Sequence, residues 1–161
     1  LIEFLADSGL APAEADRIVG LAWHSPDPVS LARPITDLRA LFEALRAGGT
    51  RIAVATSDDR EPTERTLAHL GVADLVEAVA CADDDRPVKP SPAAVHWICT
   101  QLGVAEASTA VIGDSTADLR MGRAAGAGLV VGVLTGAGDA ASLASFADLI
   151  VPSIADLAPA S

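Results

Sequence analysis

The sequence predicts an α/β fold built on a doubly wound parallel sheet, and three observations carry that expectation. Short apolar runs rich in Ala, Val and Ile alternate with stretches whose apolar residues recur at helical spacing. The runs show no in–out alternation, as expected of strands covered on both faces. Consecutive runs are separated by enough chain for a crossover helix, which makes right-handed βαβ connections the simplest topology.

The elements follow in order. Leu1 to about Arg33 is helical in tone, with Ile2, Leu5 and Ala6 and then Ile18, Leu21 and Ala22 at helical spacing, and holds no strand candidate. Thr36 to Ala47 repeats Leu38, Leu41, Phe42 and Leu45 on one face, with Thr36 or Asp37 as N-cap and Gly48-Gly49 as the stop. Arg51 to Ala55 is a buried strand. Pro62 suits the first turn of a helix that reaches Leu70 and ends at Gly71. Leu75 to Ala80 is the next strand, followed by the loop Asp83-Asp84-Asp85-Arg86-Pro87. Pro92 opens a helix with Val95, Ile98 and Leu102 on one side, ending at Gly103. Thr109 to Ile112 is a strand, Thr116 to Ala125 a helix and Leu129 to Val133 a strand. A short helix near Ala140 to Phe146, a strand at Leu149 to Val151 and a turn from Ser153 close the pattern. The strands ending at Thr56, Ala80, Ile112 and Val133 are expected to lie parallel in one sheet.

Composition narrows the function. The 161 residues suffice for one domain with a sizeable core, and half of them are apolar. Twenty-two acids against eleven Lys and Arg leave a net charge of −11. That balance disfavours a general nucleic-acid or anionic-membrane surface, since both want basic patches. A phosphorylated small molecule stays compatible, because one local cation and a metal outweigh a distant global charge. Cys81 and Cys99 form no CxxC pair and read as two reduced, partly buried thiols. No apolar run approaches a membrane span and no signal segment opens the chain. The expectation is a cytoplasmic protein, and the start at Leu1, inside a helical stretch, suggests a fragment or processed form.

Three segments carry the chemistry: Ile52-Ala53-Val54-Ala55-Thr56-Ser57, Val88-Lys89-Pro90, and Val111-Ile112-Gly113-Asp114-Ser115-Thr116-Ala117-Asp118. In an open parallel sheet, ligands bind beyond the carboxyl ends of the strands. Thr56 and Ser57 leave such an end just before a helix N-terminus, where hydroxyls and free N–H groups favour a phosphate. Lys89 stands in a loop stiffened by Pro87 and Pro90. Asp114 leaves a buried strand after Gly113, and Asp118 follows one helical turn later on the same face. Two such carboxylates repel unless a cation lies beside them, and Mg²⁺ suits them. Each segment also has a plainer reading. Thr56-Ser57-Asp58 caps a helix, Lys89 lies on an ordinary surface, and Asp114 and Asp118 are an N-cap and a surface acid. What favours the joint reading is that all three fall at one sheet edge.

In that combination the chain resembles haloacid-dehalogenase-superfamily (HAD) hydrolases, in the branch with phosphoglycolate phosphatases and β-phosphoglucomutases. The resemblance rests on Ala55-Thr56-Ser57 after a strand, Lys89-Pro90-Ser91-Pro92 before a helix, Gly113-Asp114-Ser115-x-x-Asp118 after the next strand, and Gly132-Val133-Leu134-Thr135-Gly136, and it runs from about Pro34 to the C-terminus. It implies a Rossmannoid HAD-like core over residues 34–161 and, over residues 1–33, the rear part of a small helical cap. It implies that Thr56, helped by the Ser57 N–H, binds the phosphoryl group of a small phosphorylated metabolite, and that Lys89 holds that group against a nucleophile. Asp114 becomes a Mg²⁺ ligand, and Asp118 supports the metal or the lysine.

The family's nucleophile and acid–base lie in an Asp-x-Asp-x-Thr segment on the first strand, and no such segment occurs here. That strand belongs between the ones ending at Thr56 and Asp114, and without it those two strands must pair directly or leave open edges, which proteins avoid. The expected function is therefore Mg²⁺-dependent phosphomonoester hydrolysis through an aspartyl-phosphate in an intact parent, with this chain inactive alone for want of an N-terminal segment. A dehalogenase would need no metal, and a receiver domain carries its Lys-Pro near the end of the fold. A phosphomutase and a non-catalytic HAD-like protein are the remaining alternatives. Asp83-Asp84-Asp85 is expected to be a solvated loop or a contact for a substrate amine or second cation. Trp23-His24 either lines the substrate entrance or packs, and His69 and His96 are given no role.

Overall fold

The structure is a computed structural model that describes residues 28–159. The chain divides into two compact units, Leu1–Leu31 and Ala32–Ser161. In the first, the described part is a short helix, α1 (Pro28–Leu31). Most of the stretch read as cap, with the Trp23-His24 pair, lies outside the described residues.

The second unit runs α2 (Leu38–Ala47), β1 (Ala53–Ala55), α3 (Arg60–His69), β2 (Ala78–Ala80), α4 (Ala93–Leu102), β3 (Ala110–Gly113), α5 (Thr116–Ala125), β4 (Leu129–Val133), α6 (Ala140–Leu143) and β5 (Leu149–Val151). Every strand pair is parallel. Local chemistry sets the helix ends. The Asp37 carboxylate accepts from the Ala40 N–H, so Asp37 is the cap of α2. Ser115 and Asp118 form a reciprocal capping box at the start of α5. Gly103 and Gly126 end α4 and α5 in the left-handed conformation that only glycine adopts without strain.

The helix α4 is the common wall of the core. Its Ile98 and Leu102 pack on Ala78 and Ala80 of β2, while its Val95 and Cys99 join Val111, Met121 and Ala125. A further cluster buries Leu119, Val130 and Leu143 completely. Each of these larger side chains contributes about 1.5–3 kcal/mol of transfer free energy, which fixes the start of α5 against β4.

Two expectations need correction. The strand read as Leu75–Ala80 is only Ala78–Ala80, because Ala73–Leu75 forms a 3₁₀ turn. Buried Leu75 anchors that turn, and Arg39 grips it by donating to the Gly71 carbonyl and the Asp74 carboxylate. The single sheet is also absent among the described residues: β1 and β2 form one piece, and β3, β4 and β5, in that order, another.

The reason lies in the backbone. Thr56 N–H donates to Ala80 O and Glu77 N–H to Ile52 O, so even-numbered residues of β1 bond to β2. That leaves Ala53 and Ala55 directing their peptide groups to the opposite edge. Leu129 N–H donates to Thr109 O, so the odd-numbered residues of β3 bond to β4, and Ala110 and Ile112 face away. No strand among the described residues lies against either edge. Ile112 is 39% exposed, although an interior strand of this fold would bury it.

Candidate active site

Lys89 joins the two sheet pieces. Its ammonium donates to Ala55 O at the end of β1, 2.8 Å away, and to Asp118 Oδ1 on α5, at 2.7 Å. The side chains of Lys89 and Asp118 are 15% and 13% exposed, so the pair is largely removed from water. An ammonium has three N–H donors, and these two bonds leave one for a ligand. The Lys89–Pro90 peptide is cis.

Asp118 is held from its other side as well. Its Oδ2 accepts from the Ser115 hydroxyl at 2.6 Å and from the Ser115 N–H at 3.2 Å. Both carboxylate oxygens are thus engaged, one by Lys89 and one by the cap. Of the two roles expected for Asp118, the geometry serves the lysine. Gly113 makes this possible. Its φ is not positive, but a Cβ there would lie 2.3 Å from the Asp118 Cβ. Glycine is needed for room.

Asp114 sits at the end of β3, where the loop after β4 closes on it. The Ala137 N–H donates to its Oδ2 at 2.8 Å, and the Gly138 N–H to its backbone carbonyl at 2.8 Å. A Cβ on Gly136 would fall 1.7 Å from Oδ2, and one on Gly138 would fall 2.6 Å from the carbonyl. These two glycines let the loop orient the carboxylate and leave its Oδ1 available. Mg²⁺ keeps several waters and accepts one or two carboxylates plus phosphate oxygens. The donor set fits an ion held by Asp114 and ligand oxygens. It does not fit a cage of protein ligands, because the described residues contain no cluster of three metal-ligating side chains.

Thr56 and Ser57 line one pocket with Lys89, Arg86 and Val88. The Thr56 hydroxyl donates to Asp58 Oδ2 at 3.0 Å and accepts from the Asp58 N–H at 3.1 Å. Neither residue caps α3; that position belongs to Asp59. Ser57 is exposed at the mouth. The structure therefore brings Thr56, Ser57 and Lys89 together and ties Asp118 to them through Lys89, while Asp114 stands at the end of β3 in the other sheet piece.

The acidic loop is not merely solvated. Asp83 accepts from the N–H of Arg60 at the start of α3. Asp84 accepts from the Cys81 N–H, from Arg60 and from Arg86. The Cys81 N–H and the Arg60 guanidinium hold the Asp84 carboxyl below the usual carboxylate range. Burial pushes the Cys81 thiol up, against a hydrogen bond with the Thr63 side chain. Sequence reasoning missed Ser115, the Ala137 N–H and Arg86; only Ser115, three residues before an acid at a helix start, carried a local signal.

A strand-end pocket, a bridging lysine and an oriented carboxylate thus share one parallel α/β scaffold. The chain belongs to the haloacid dehalogenase-like hydrolase family, whose sequence model matches residues 11–126. It is 35% identical to the phosphoglycolate phosphatase of Rhodospirillum rubrum over 111 residues, which cover 69% of this chain and 46% of that protein. A HAD family hydrolase of Deinococcus radiodurans, solved with bound phosphate and sodium, superposes with a TM-score of 0.67 at 27% identity, over 76% of this chain and 56% of its own. A predicted phosphoglycolate phosphatase of Haemophilus somnus shares the fold, with a TM-score of 0.73 at 23% identity over 91% of this chain and 63% of its own. The chain spans about half the length of the curated relatives it matches. The motif resemblance thus holds at the level of the family, and the α/β fold holds with it. Among the described residues, no helix is long and apolar enough to cross a membrane.

Proposed function

We propose that the chain supplies the phosphoryl- and cation-binding part of a Mg²⁺-dependent phosphomonoester hydrolase acting on a small phosphorylated metabolite. The observation that carries this reading is Lys89, a largely buried ammonium fixed by Ala55 O and Asp118 with one donor left beside Thr56 and Ser57. A phosphoryl group placed there meets the ammonium and a backbone N–H, and the Thr56 hydroxyl once it turns from Asp58, the donors that stabilise charge on equatorial phosphoryl oxygens.

Each residue then has one role. Thr56 and the Ser57 N–H orient the phosphoryl group. Lys89 neutralises it and any carboxylate brought against it, and Asp118 keeps Lys89 pointed at the pocket. Asp114 holds the cation, which when bound neutralises charge on the transferring group. Thr56, Ser57, Lys89, Asp114 and Asp118 are thereby assigned to binding and positioning, and none of them to attack on phosphorus. The open edges at Ala53/Ala55 and Ala110/Ile112 match a further parallel strand, and the family resemblance puts an Asp-x-Asp-x-Thr carboxylate at its end. In that arrangement the carboxylate oxygen bonds to phosphorus as the ester oxygen leaves and is protonated. Water then cleaves the acyl phosphate to orthophosphate and restores the carboxylate.

The test uses a protein in which that strand is present. Lys89→Ala and Asp114→Ala should each remove most phosphate release, and Thr56→Ala should weaken it less, because the Ser57 N–H remains. Release that survives Lys89→Ala unchanged would refute the assignment. An intact strand-bearing protein inert on a broad panel of phosphomonoesters would favour a non-catalytic member of the family.

A further inference from the structure

We propose that Asp58 is a specificity residue of the phosphoryl subsite: its carboxylate competes with an incoming phosphate for the Thr56 hydroxyl and keeps the affinity for a bare phosphate low. This rests on the phosphate-pocket reading above and adds a residue that the motif pattern does not contain. A hydroxyl has a single proton to donate. That of Thr56 goes to Asp58 Oδ2 at 3.0 Å, and its oxygen accepts from the Asp58 N–H at 3.1 Å.

The backbone holds this contact in place. The Asp58 carbonyl accepts from the Ala82 N–H at 2.9 Å, and the Thr56 N–H donates to Ala80 O at 2.9 Å. Ala80 and Ala82 line the pocket with Thr56, Ser57 and Lys89, so the chain on both sides of the Thr56–Asp58 contact is tied to the pocket wall. The Asp58 side chain is exposed, and among the described residues it enters no ion pair. Asp84, on the loop after β2, is instead neutralised by Arg60 and Arg86. The Asp58 charge stands uncompensated beside the hydroxyl.

A phosphate oxygen that accepts from Thr56 must win the proton from a carboxylate, whose charge-assisted bond is stronger than one between neutral groups. It also brings a second negative charge to the same hydroxyl, and two acceptors around one oxygen lie only about 5 Å apart. At that separation like charges near a protein surface repel enough to change affinity several-fold, and added salt reduces the effect. A bare phosphate is therefore held loosely, and a phosphate ester is retained through the rest of its molecule. The ligand class is a phosphomonoester whose organic part makes contacts of its own.

The experiment titrates Leu1–Ser161 with inorganic phosphate by calorimetry, in wild type, Asp58→Ala, Asp59→Ala, Thr56→Val, Thr56→Val/Asp58→Ala and Lys89→Ala. Asp58→Ala keeps the backbone bonds at this position, and Asp59→Ala removes the same charge one residue further on. The carboxyl ¹³C resonance of Asp58 in the wild-type chain is followed in the same titration and needs no substitution. We expect Asp58→Ala to bind phosphate about fivefold to tenfold more tightly and Asp59→Ala to stay within about twofold of wild type. In the Thr56→Val background the gain should shrink to that of Asp59→Ala, and the wild-type Asp58 signal should shift and saturate with phosphate. A purely structural role for Asp58 predicts the opposite sign, since its loss would loosen the loop and weaken binding. If binding depends on Lys89 while Asp58→Ala binds no tighter than wild type, or while the Asp58 resonance stays still, the Asp58 assignment falls and the Lys89 reading stands. Equal gains in Asp58→Ala and Asp59→Ala reduce the effect to net charge and overturn the assignment as well. If neither wild type nor Asp58→Ala binds phosphate, both readings fall.

Discussion

Breaking the Lys89–Asp118 pair should cost more stability than any exposed ion pair in the chain. The Nζ–Oδ1 distance is 2.7 Å and the two side chains are 15% and 13% exposed, so neither charge can recover its hydration when the other is removed. In Lys89→Met, Asp118 keeps its Ser115 bonds but loses its countercharge; in Asp118→Asn, the ammonium is left with neutral acceptors only and the cap of α5 is weakened. Each substitution should destabilise by about 3 kcal/mol, as removal of one partner from a buried pair does. The double variant should be less destabilised than the sum by about 2 kcal/mol, because residues in direct contact are not additive. The same cycle on Arg39 and Asp74, 47% and 63% exposed, is the control and should show no resolvable coupling. Urea unfolding followed by far-ultraviolet circular dichroism reads both cycles. A Lys89–Asp118 coupling as small as that of the control would refute the claim that this pair is a fixed part of the site.

Three other outcomes follow from the same geometry. Asp114→Asn should weaken Mg²⁺ binding, Gly136→Ala should do so about as much by pushing a Cβ into Oδ2, and Asp83→Asn should not; equal losses in calorimetric titration would move the metal to the acidic loop. Cys81 is buried and its thiol is pushed up by that burial, so a thiol reagent at pH 8 should modify it far more slowly in the native chain than in urea. The Asp84 carboxyl is held below its unfolded value, so its contribution is present above about pH 4 and is lost as pH falls through the folded value. Thermal midpoints should therefore drop below that pH, less steeply in Asp84→Asn, and an unchanged acid slope would contradict the assignment.

Much of this was legible in the chain. Helical spacing located α2, α4 and α5, and the run from Val111 to Asp118 placed a strand, a glycine and two acids where the structure has them. What escaped reading depends on contacts between distant segments. The strand before Ala78 was shortened because Arg39, far away in sequence, captures Asp74 and Gly71. The Lys89 contact with Ala55 O, the Ala137 N–H on Asp114 and the Arg86–Trp97 stack join segments distant in sequence, and no local pattern announces them. The division of the sheet is a third kind of miss. The absent Asp-x-Asp-x-Thr strand left direct pairing or open edges as alternatives, and periodicity, which assigns strands but not partners, could not choose between them at Ala53, Ala55, Ala110 and Ile112.

The most direct measurement is phosphate release from a small phosphomonoester, with and without a chelator, by Leu1–Ser161 alone and by the same chain supplied with a strand bearing Asp-x-Asp-x-Thr. On the proposed reading Lys89 and Thr56 position a phosphate and Asp114 a cation, while no strand among the described residues pairs with the outer edges of β1 and β3. The chain alone should release none, and the strand-bearing protein should release phosphate only with the divalent metal present. Robust metal-dependent release by the chain alone would contradict the view that the attacking group comes from a further strand.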